Sequence, residues 1–247
     1  MKKIAALPSL LTLANLACGF QALSFAAQGQ LTLAAWMVVV AMVFDGLDGK
    51  VARLTGVSSH FGAELDSLAD VVSFGAAPAF LVSALAAQAG PEHPRLVWLS
   101  CMVFAVCAAL RLARFNVEHR PGEEDHQHFH GLPTPAAAGQ VVSLIILHGY
   151  LVEAHEVAFV QRLVPAATFF TGVLMVSRVR YPHAVNRLLS GNHTFADIVF
   201  LVMVALLVAT LKELTLAVGF TGFTLAGVLR AAHQAVFHRA EEEEPIF

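Results

Sequence analysis

The sequence predicts an all-α polytopic membrane protein, and three observations indicate this class. Of its 247 residues, 57% are hydrophobic and only 13% are charged, whereas a soluble domain usually carries about 25% charge. The mean hydropathy is +0.68. Apolar runs long enough to cross about 30 Å of hydrocarbon as helices recur along the whole chain.

The apolar runs predict eight spans, which are separated by segments rich in glycine, proline and charge. They lie at 10–27, 31–46, 66–88, 96–115, 135–152, 158–177, 196–211 and 214–232. Only Lys212, Glu213 and their neighbours join the last two, which predicts a tight helical hairpin. We therefore expect a membrane domain over 1–190, followed by a C-terminal hairpin and acidic tail over 191–247.

The distribution of cations predicts the orientation of these spans. If the N-terminus is cytoplasmic, twelve cations fall on the cytoplasmic side and three fall outside, a strong positive-inside bias. The outer three are Arg95, Arg162 and Lys212. Both termini are then cytoplasmic, and the acidic stretch 45–70 lies at the cytoplasmic mouth between the second and third spans.

Charge and cysteine content exclude other classes. The net charge is only −3, so no nucleic-acid surface is indicated. The three cysteines, Cys18, Cys101 and Cys107, all lie in apolar segments. They predict free buried thiols and neither a disulfide framework nor a cysteine metal site.

Four aspartates form the main candidate site. Asp45 and Asp48 are spaced i, i+3, and Asp66 and Asp70 are spaced i, i+4, so each pair shares one helix face. Two antiparallel helices joined by a short loop can aim all four carboxylates at one point. Because such anions repel strongly, the cluster predicts one or two bound divalent cations such as Mg²⁺, Mn²⁺ or Ca²⁺. The alternative is a set of ordinary helix-end and loop charges.

Small residues around the acids fit a bulky ligand. Gly46, Gly49, Ala52 and Gly62 would keep the helices close and leave room near the backbone. Arg53 lies one helical turn beyond Gly49, where a guanidinium could hold a phosphate.

The acids and small residues together form a recognisable signature. Asp45-x-x-Asp48-Gly49-x-x-Ala52-Arg53, then eight residues, then Gly62-x-x-x-Asp66-x-x-x-Asp70 resembles the signature of the CDP-alcohol phosphotransferase family. The resemblance implies a membrane-embedded six-helix core, a homodimer, and displacement of CMP from a CDP-linked donor by an alcohol.

The resemblance also implies roles for the matched positions. Asp45, Asp48 and Asp66 would be ligands of Mg²⁺ or Mn²⁺, with two ions expected. Asp70 would be a further metal neighbour and the general base on the acceptor hydroxyl. Gly49, Ala52 and Gly62 would shape the nucleotide pocket, and Arg53 would contact the diphosphate.

Flanking stretches favour one acceptor. Segments 7–23, 64–79, 111–116, 129–139 and 176–182 resemble those of the bacterial membrane-bound phosphatidylserine synthases. This implies CDP-diacylglycerol and L-serine as substrates, membrane lipids as partners, and the bacterial cytoplasmic membrane as the location. Glycerol phosphate and inositol phosphate are alternative acceptors. A divalent-cation transporter is the alternative from another class, although acids confined to one surface disfavour it.

Further polar residues are candidates for substrate contacts. Arg111 and Arg114 share a helix face, and with Arg178 and Arg180 they lie at predicted cytoplasmic helix ends. They could bind the serine carboxylate or the lipid-linked phosphate, or simply anchor the helices at the membrane surface. Thr12 and Asn15 also share a face; they could line the nucleotide pocket or bond a neighbouring helix.

Overall fold

A computed structural model describes residues 7–55, 60–90, 93–118, 131–155, 159–177, 179 and 211–242. Eight α-helices and one π-helical segment account for nearly all of these residues, and no strand occurs among them. The all-α fold predicted from the sequence is therefore confirmed.

The α-helices are numbered in chain order. They are α1 (Leu7–Ala27), α2 (Leu31–Thr55), α3 (His60–Asp70), α4 (Ala77–Ala89), α5 (Pro94–Glu118), α6 (Thr134–His155), α7 (Val160–Val176) and α8 (Lys212–Glu242). Six stretches are long and apolar enough to cross a membrane: α1, most of α2, Phe61–Ala89, most of α5, most of α6 and the first two thirds of α8. Helix α7 is a shorter apolar helix of 17 residues.

The predicted spans match these helices, with differences at the ends that carry the acids. Helix α2 continues to Thr55 rather than ending near residue 46, and α3 begins at His60, which was expected in a loop. Asp45 and Asp48 therefore lie inside α2 and not at its end, and Asp66 lies inside α3, which ends at Asp70. The predicted span at 196–211, and with it the tight hairpin and the division near residue 190, fall outside the described residues and stay predictions.

The third span contains a π-helical segment that sequence periodicity did not predict. Residues Val71–Ala76 connect α3 to α4 without a break, and they begin directly after Asp70. Such wide turns occur mostly as short insertions in α-helices and frequently at functional sites. Ser73, Phe74 and Gly75 in this segment are buried.

Helix α1 holds the acid-bearing helices together. It packs on both α2 and α3, whereas α2 and α3 make little direct contact with each other. Behind them, a core centred on α4, α5 and α6 includes the fully buried side chains of Phe74, Leu81, Phe104 and Ile145. This arrangement leaves a space between α2 and α3 that α1 closes on one side.

Helix α8 lies against the outside of this core. It packs on α6, where the Gln140 side-chain amide donates a hydrogen bond to Thr221 Oγ1 at 3.0 Å. Only 17% of its apolar window is buried, as expected for a helix that faces lipid.

Candidate active site

Three carboxylates meet in the space between α2 and α3. Oxygen atoms of Asp45, Asp48 and Asp66 all lie within 4.8 Å of one another. Asp48 is buried, and the other two are half-buried. The i, i+3 spacing of the first two aspartates and their position on α2 thus bring them to Asp66 on α3, as the sequence predicts.

Two side chains of α1 hold the acids in place. Thr12 Oγ1 donates a hydrogen bond to Asp48 Oδ2 at 3.0 Å, and Asn15 Nδ2 donates one to Asp70 Oδ1 at 3.0 Å. Both donors are buried. Of the two interpretations of Thr12 and Asn15, the geometry therefore favours bonding to neighbouring helices, with the acids themselves as the partners.

Asp70 occupies a position distinct from the other three aspartates. It is buried, accepts a hydrogen bond from Asn15 and shares one with Asp45, so it adjoins the group of three whose oxygens lie within 4.8 Å of one another. The Arg111 guanidinium interacts with it electrostatically from α5. Arg111 Nη1 also donates a hydrogen bond to Thr134 Oγ1 at 2.7 Å, while its Nε is buried without a partner among the described residues.

The glycines of α2 leave open space beside the acids. Apart from the neighbouring residues and backbone of α2 itself, no described atom lies within 4 Å of the position that a Cβ would take at Gly46 or Gly49. Close packing therefore does not require glycine at either position. The structure supports one half of the prediction for these glycines, room for a ligand, and not the other half, close approach of helices.

The structure does not bring all of the remaining candidate residues to the acid cluster. Ala52 and Gly62 lie on α2 and α3 beyond the acids, and both are half-buried. Arg114 is exposed on α5, one turn beyond the half-buried Arg111. The Arg53 side chain, Arg178 and Arg180 lie outside the described part of the structure.

A further set of residues, not predicted from the sequence, supports the helix segment that follows Asp70. Ser73 Oγ, in the π-helical segment, donates a hydrogen bond to the backbone carbonyl of Asn15 at 3.1 Å. Gly19, one turn beyond Asn15, packs directly on Ser73: a Cβ there would lie 2.8 Å from Ser73 Cα. The contact connects α1 and the π-helical segment at the level of the Asn15–Asp70 hydrogen bond, and only the pairing of Gly19 with a small residue hints at it in the sequence.

We expect Gly19→Ala to lower both stability and turnover. The new methyl group would push α1 away from the π-helical segment, at a cost of about 1–3 kcal/mol for overpacking, and would displace Asn15 from Asp70. Thermal unfolding and CMP release measure the two effects. Gly219→Ala on α8 is the control, because no described atom lies within 4 Å of its Cβ position; equal behaviour of the two variants would contradict the prediction.

The donor set fits a hard divalent cation. Asp66 Oδ1 is buried without a hydrogen-bond partner among the described residues, and it lies in the group of three neighbouring carboxylates. Carboxylate oxygens are the preferred ligands of Mg²⁺ and Mn²⁺. A cation would compensate both the mutual repulsion and the unpartnered oxygen.

Comparison with known proteins gives a consistent result. Residues 5–176, more than two thirds of the chain, match the family described as CDP-alcohol phosphatidyltransferase. The CDP-diacylglycerol–serine O-phosphatidyltransferase of Helicobacter pylori is 34% identical over 225 residues, which cover 90% of this chain and 90% of that protein. The archaetidylserine synthase of Methanothermobacter thermautotrophicus is 37% identical over 179 residues, which cover 72% and 70% of the two chains.

A third relative aligns over a shorter part of the chain. The CDP-diacylglycerol–serine O-phosphatidyltransferase of Methanocaldococcus jannaschii is 37% identical over 153 residues, which cover 62% of this chain and 65% of that protein. The family match contains α1 to α7, with all four aspartates and both of the α1 residues that bond them. The chain therefore belongs to the CDP-alcohol phosphatidyltransferase family, as the signature of aspartates and small residues predicts.

Proposed function

We propose that the chain transfers the phosphatidyl group of CDP-diacylglycerol to the hydroxyl of L-serine, giving phosphatidylserine and CMP. The observation that carries the proposal is the meeting of Asp45, Asp48 and Asp66 beside Asp70, which Asn15 holds through a hydrogen bond. The names of the relatives that align over most of the chain support serine as the head group.

The aspartates divide into two chemical roles in this proposal. Members of the family use a divalent metal, which neutralises a diphosphate and stabilises the departing phosphate of CMP. Asp45, Asp48 and Asp66 would hold Mg²⁺ or Mn²⁺; a fully loaded site with two ions would draw on Asp70 as well. The open space at Gly46 and Gly49 would accept the CDP group, and Arg53 would contact its diphosphate.

Asp70 is proposed as the general base. A serine hydroxyl is a poor nucleophile at neutral pH, and a carboxylate within hydrogen-bond reach can take its proton as it attacks phosphorus. Asn15 fixes the orientation of the Asp70 carboxylate through one oxygen. The other oxygen is the one we assign to the acceptor.

Arg111 would recognise the carboxylate of serine. Its guanidinium interacts electrostatically with Asp70, it is half-buried, and its Nε has no partner among the described residues. A charge-assisted hydrogen bond to a carboxylate would satisfy that donor. An acceptor bound in this way would present its hydroxyl close to Asp70. Arg114, Arg178 and Arg180 remain proposed surface contacts for lipid phosphate.

The acceptor is tested by CMP release from CDP-diacylglycerol with a panel of alcohols. We expect L-serine to support release, and glycerol phosphate, inositol phosphate and ethanolamine to support little. Ethanolamine is the sharpest comparison, because it keeps the hydroxyl and ammonium groups of serine and lacks only the carboxylate. Release with a phosphorylated acceptor but not with serine would reject the proposal while leaving the family chemistry intact.

Two arginine variants control this test. Arg111→Gln should raise the KM for serine by about tenfold or more, the loss of one charge-assisted hydrogen bond, with a smaller change in the KM for CDP-diacylglycerol. Arg114→Gln removes the same charge one helical turn away at an exposed position and should leave the KM for serine near its original value. A different experiment tests the alternative function, a divalent-cation transporter: uptake of metal into proteoliposomes in the absence of nucleotide would favour it.

The remaining features of the proposal concern the whole assembly. We propose a homodimer in the bacterial cytoplasmic membrane, with both termini and the acid cluster on the cytoplasmic side. The lipid tails of the donor would lie in the bilayer while its diphosphate reaches the aspartates from the membrane surface. This position suits an enzyme whose donor is a lipid and whose acceptor is dissolved in the cytoplasm.

A further inference from the structure

A cavity far from the aspartates opens between the ends of three helices. It has a volume of about 510 Å³ and lies where the end of α4 meets the beginnings of α5 and α7. Ala86 in its wall is 16 residues after Asp70 on the continuous α3–α4 helix, a distance of about 24 Å along the axis. The α5–α7 cavity is therefore at the opposite membrane face from the acids.

The α5–α7 cavity has the shape of a wedge. At its deep end, α5 and α7 pack tightly: a Cβ at Gly172 would lie only 2.9 Å from Phe104 Cα, and Phe104 is fully buried. Towards the helix beginnings the two helices leave the space that Pro165, Ala166 and Leu96 line. A narrow ligand can thus enter from the helix ends and is stopped at the Phe104–Gly172 contact.

The lining of the wedge changes from polar to apolar with depth. His93, Gln161 and Arg162 lie at the mouth, close to the beginnings of α5 and α7. Phe169 lies seven residues after Arg162 on α7, about 10 Å deeper, and Leu99 faces the same space from α5. This order of cation and hydrogen-bond donors above an apolar slot matches the order of phosphate and acyl chain in a phospholipid.

We propose that the α5–α7 cavity binds one anionic phospholipid, with an acyl chain in the wedge and the phosphate at Arg162 and His93. A cavity of this size lies within the range of small-molecule sites, which are mostly apolar with a few placed polar groups. Arg162 takes part in another interaction, and its five N–H donors can serve both that interaction and a phosphate. Basic pockets between membrane helices bind lipid head groups on the cytoplasmic side of membranes, and the same chemistry is available to Arg162 here.

The site is separate from the proposed reaction. The positive-inside prediction puts Arg162 on the outer side, so the lipid would come from the leaflet that the acid cluster does not face. Bound there, it would fill the gap between α5 and α7 and stabilise the helix that carries Arg111. The proposal depends neither on serine as the acceptor nor on the metal.

The test compares lipid retention by purified full-length variants. Delipidated wild-type protein is titrated with phosphatidylglycerol or phosphatidylethanolamine, and bound lipid is counted by native mass spectrometry. We expect one phosphatidylglycerol per chain to be retained preferentially and to raise the unfolding temperature. Ala166→Trp fills the wedge and should lose this lipid. Arg162→Gln should weaken binding by about tenfold, the loss of one charge-assisted hydrogen bond.

Matched controls separate the cavity from the general lipid surface. Leu163→Trp adds the same indole to an exposed position of α7, and Arg95→Gln removes an exposed cation near the start of α5; neither residue lines the cavity. Both controls should retain the lipid, and all four variants should keep CMP release. Equal retention by wild type, Ala166→Trp and Arg162→Gln would overturn the proposal, as would equal retention of the two lipids. Loss of a dimer in Ala166→Trp with lipid retention unchanged would assign the wedge to a second copy instead.

Discussion

Replacing Asp70 by asparagine should reduce kcat by about 10²–10⁴-fold, the contribution typical of a positioned general base. The substitution keeps the size of the side chain and its ability to accept the hydrogen bond from Asn15. It removes the capacity to take a proton from the acceptor hydroxyl. Binding of CDP-diacylglycerol, measured by calorimetry, should change far less than turnover.

The geometry explains why binding and turnover should separate at this position. Asp45, Asp48 and Asp66 form the compact carboxylate group, whereas Asp70 lies at its edge, bonded to Asn15 of α1 and to Asp45, and interacts electrostatically with Arg111. A metal held mainly by the first three would survive the loss of Asp70. If Asp70 instead serves chiefly as a metal ligand, Asp70→Asn should weaken Mn²⁺ binding as strongly as Asp48→Asn does.

Glu64→Gln provides the matched control for this experiment. Glu64 lies on the same helix as Asp70, and its carboxylate is exposed and accepts a hydrogen bond from Asn116 Nδ2 at 3.4 Å. The control removes one negative charge from α3 without touching the acid cluster, and kcat should stay within about threefold of wild type, as for most surface substitutions. Full activity of Asp70→Asn alongside full activity of Glu64→Gln would remove Asp70 from the proposed role.

The acid cluster could be predicted from the sequence because it depends on the spacing of residues that are close together along the chain. The spacings of Asp45, Asp48, Asp66 and Asp70 fix helix faces, and the apolar runs on either side determine which helices carry them. What the sequence could not provide is the relation between helices. It predicted a closed α2–α3 pair, whereas the two helices are held apart and α1 supplies the contacts to the acids through Thr12 and Asn15.

The π-helical segment shows the same limit of local patterns. An extra residue per turn at Val71–Ala76 has no periodic signal in a stretch that is apolar on all sides. Its stabilising contacts come from elsewhere: Ser73 bonds to the Asn15 carbonyl and Gly19 packs on Ser73. Residues whose role depends on such close contacts between helices can be identified only from the three-dimensional structure. The same holds for the residues that line the α5–α7 cavity.

Replacing Asp66 by asparagine should have opposite effects on stability with and without metal. In the metal-free protein, Asp66 adds a third carboxylate within 4.8 Å of two others and has a buried oxygen without a partner among the described residues. An amide of the same shape removes the repulsion and can donate a hydrogen bond to a neighbouring carboxylate. In the presence of a chelator, the variant should therefore unfold at a higher temperature than wild type, by a few degrees.

Saturating Mg²⁺ or Mn²⁺ should reverse this order. Wild type gains free energy of unfolding by binding the ion, about 2.7 kcal/mol when the ion is at 100 times its Kd. Asp66→Asn loses one ligand and one charge, so it gains much less and should also lose CMP release. Glu64→Gln should follow wild type in both conditions. A variant that is less stable than wild type even in chelator would mean that the three carboxylates do not strain the metal-free fold, and a variant stabilised by metal as strongly as wild type would exclude Asp66 from the metal site.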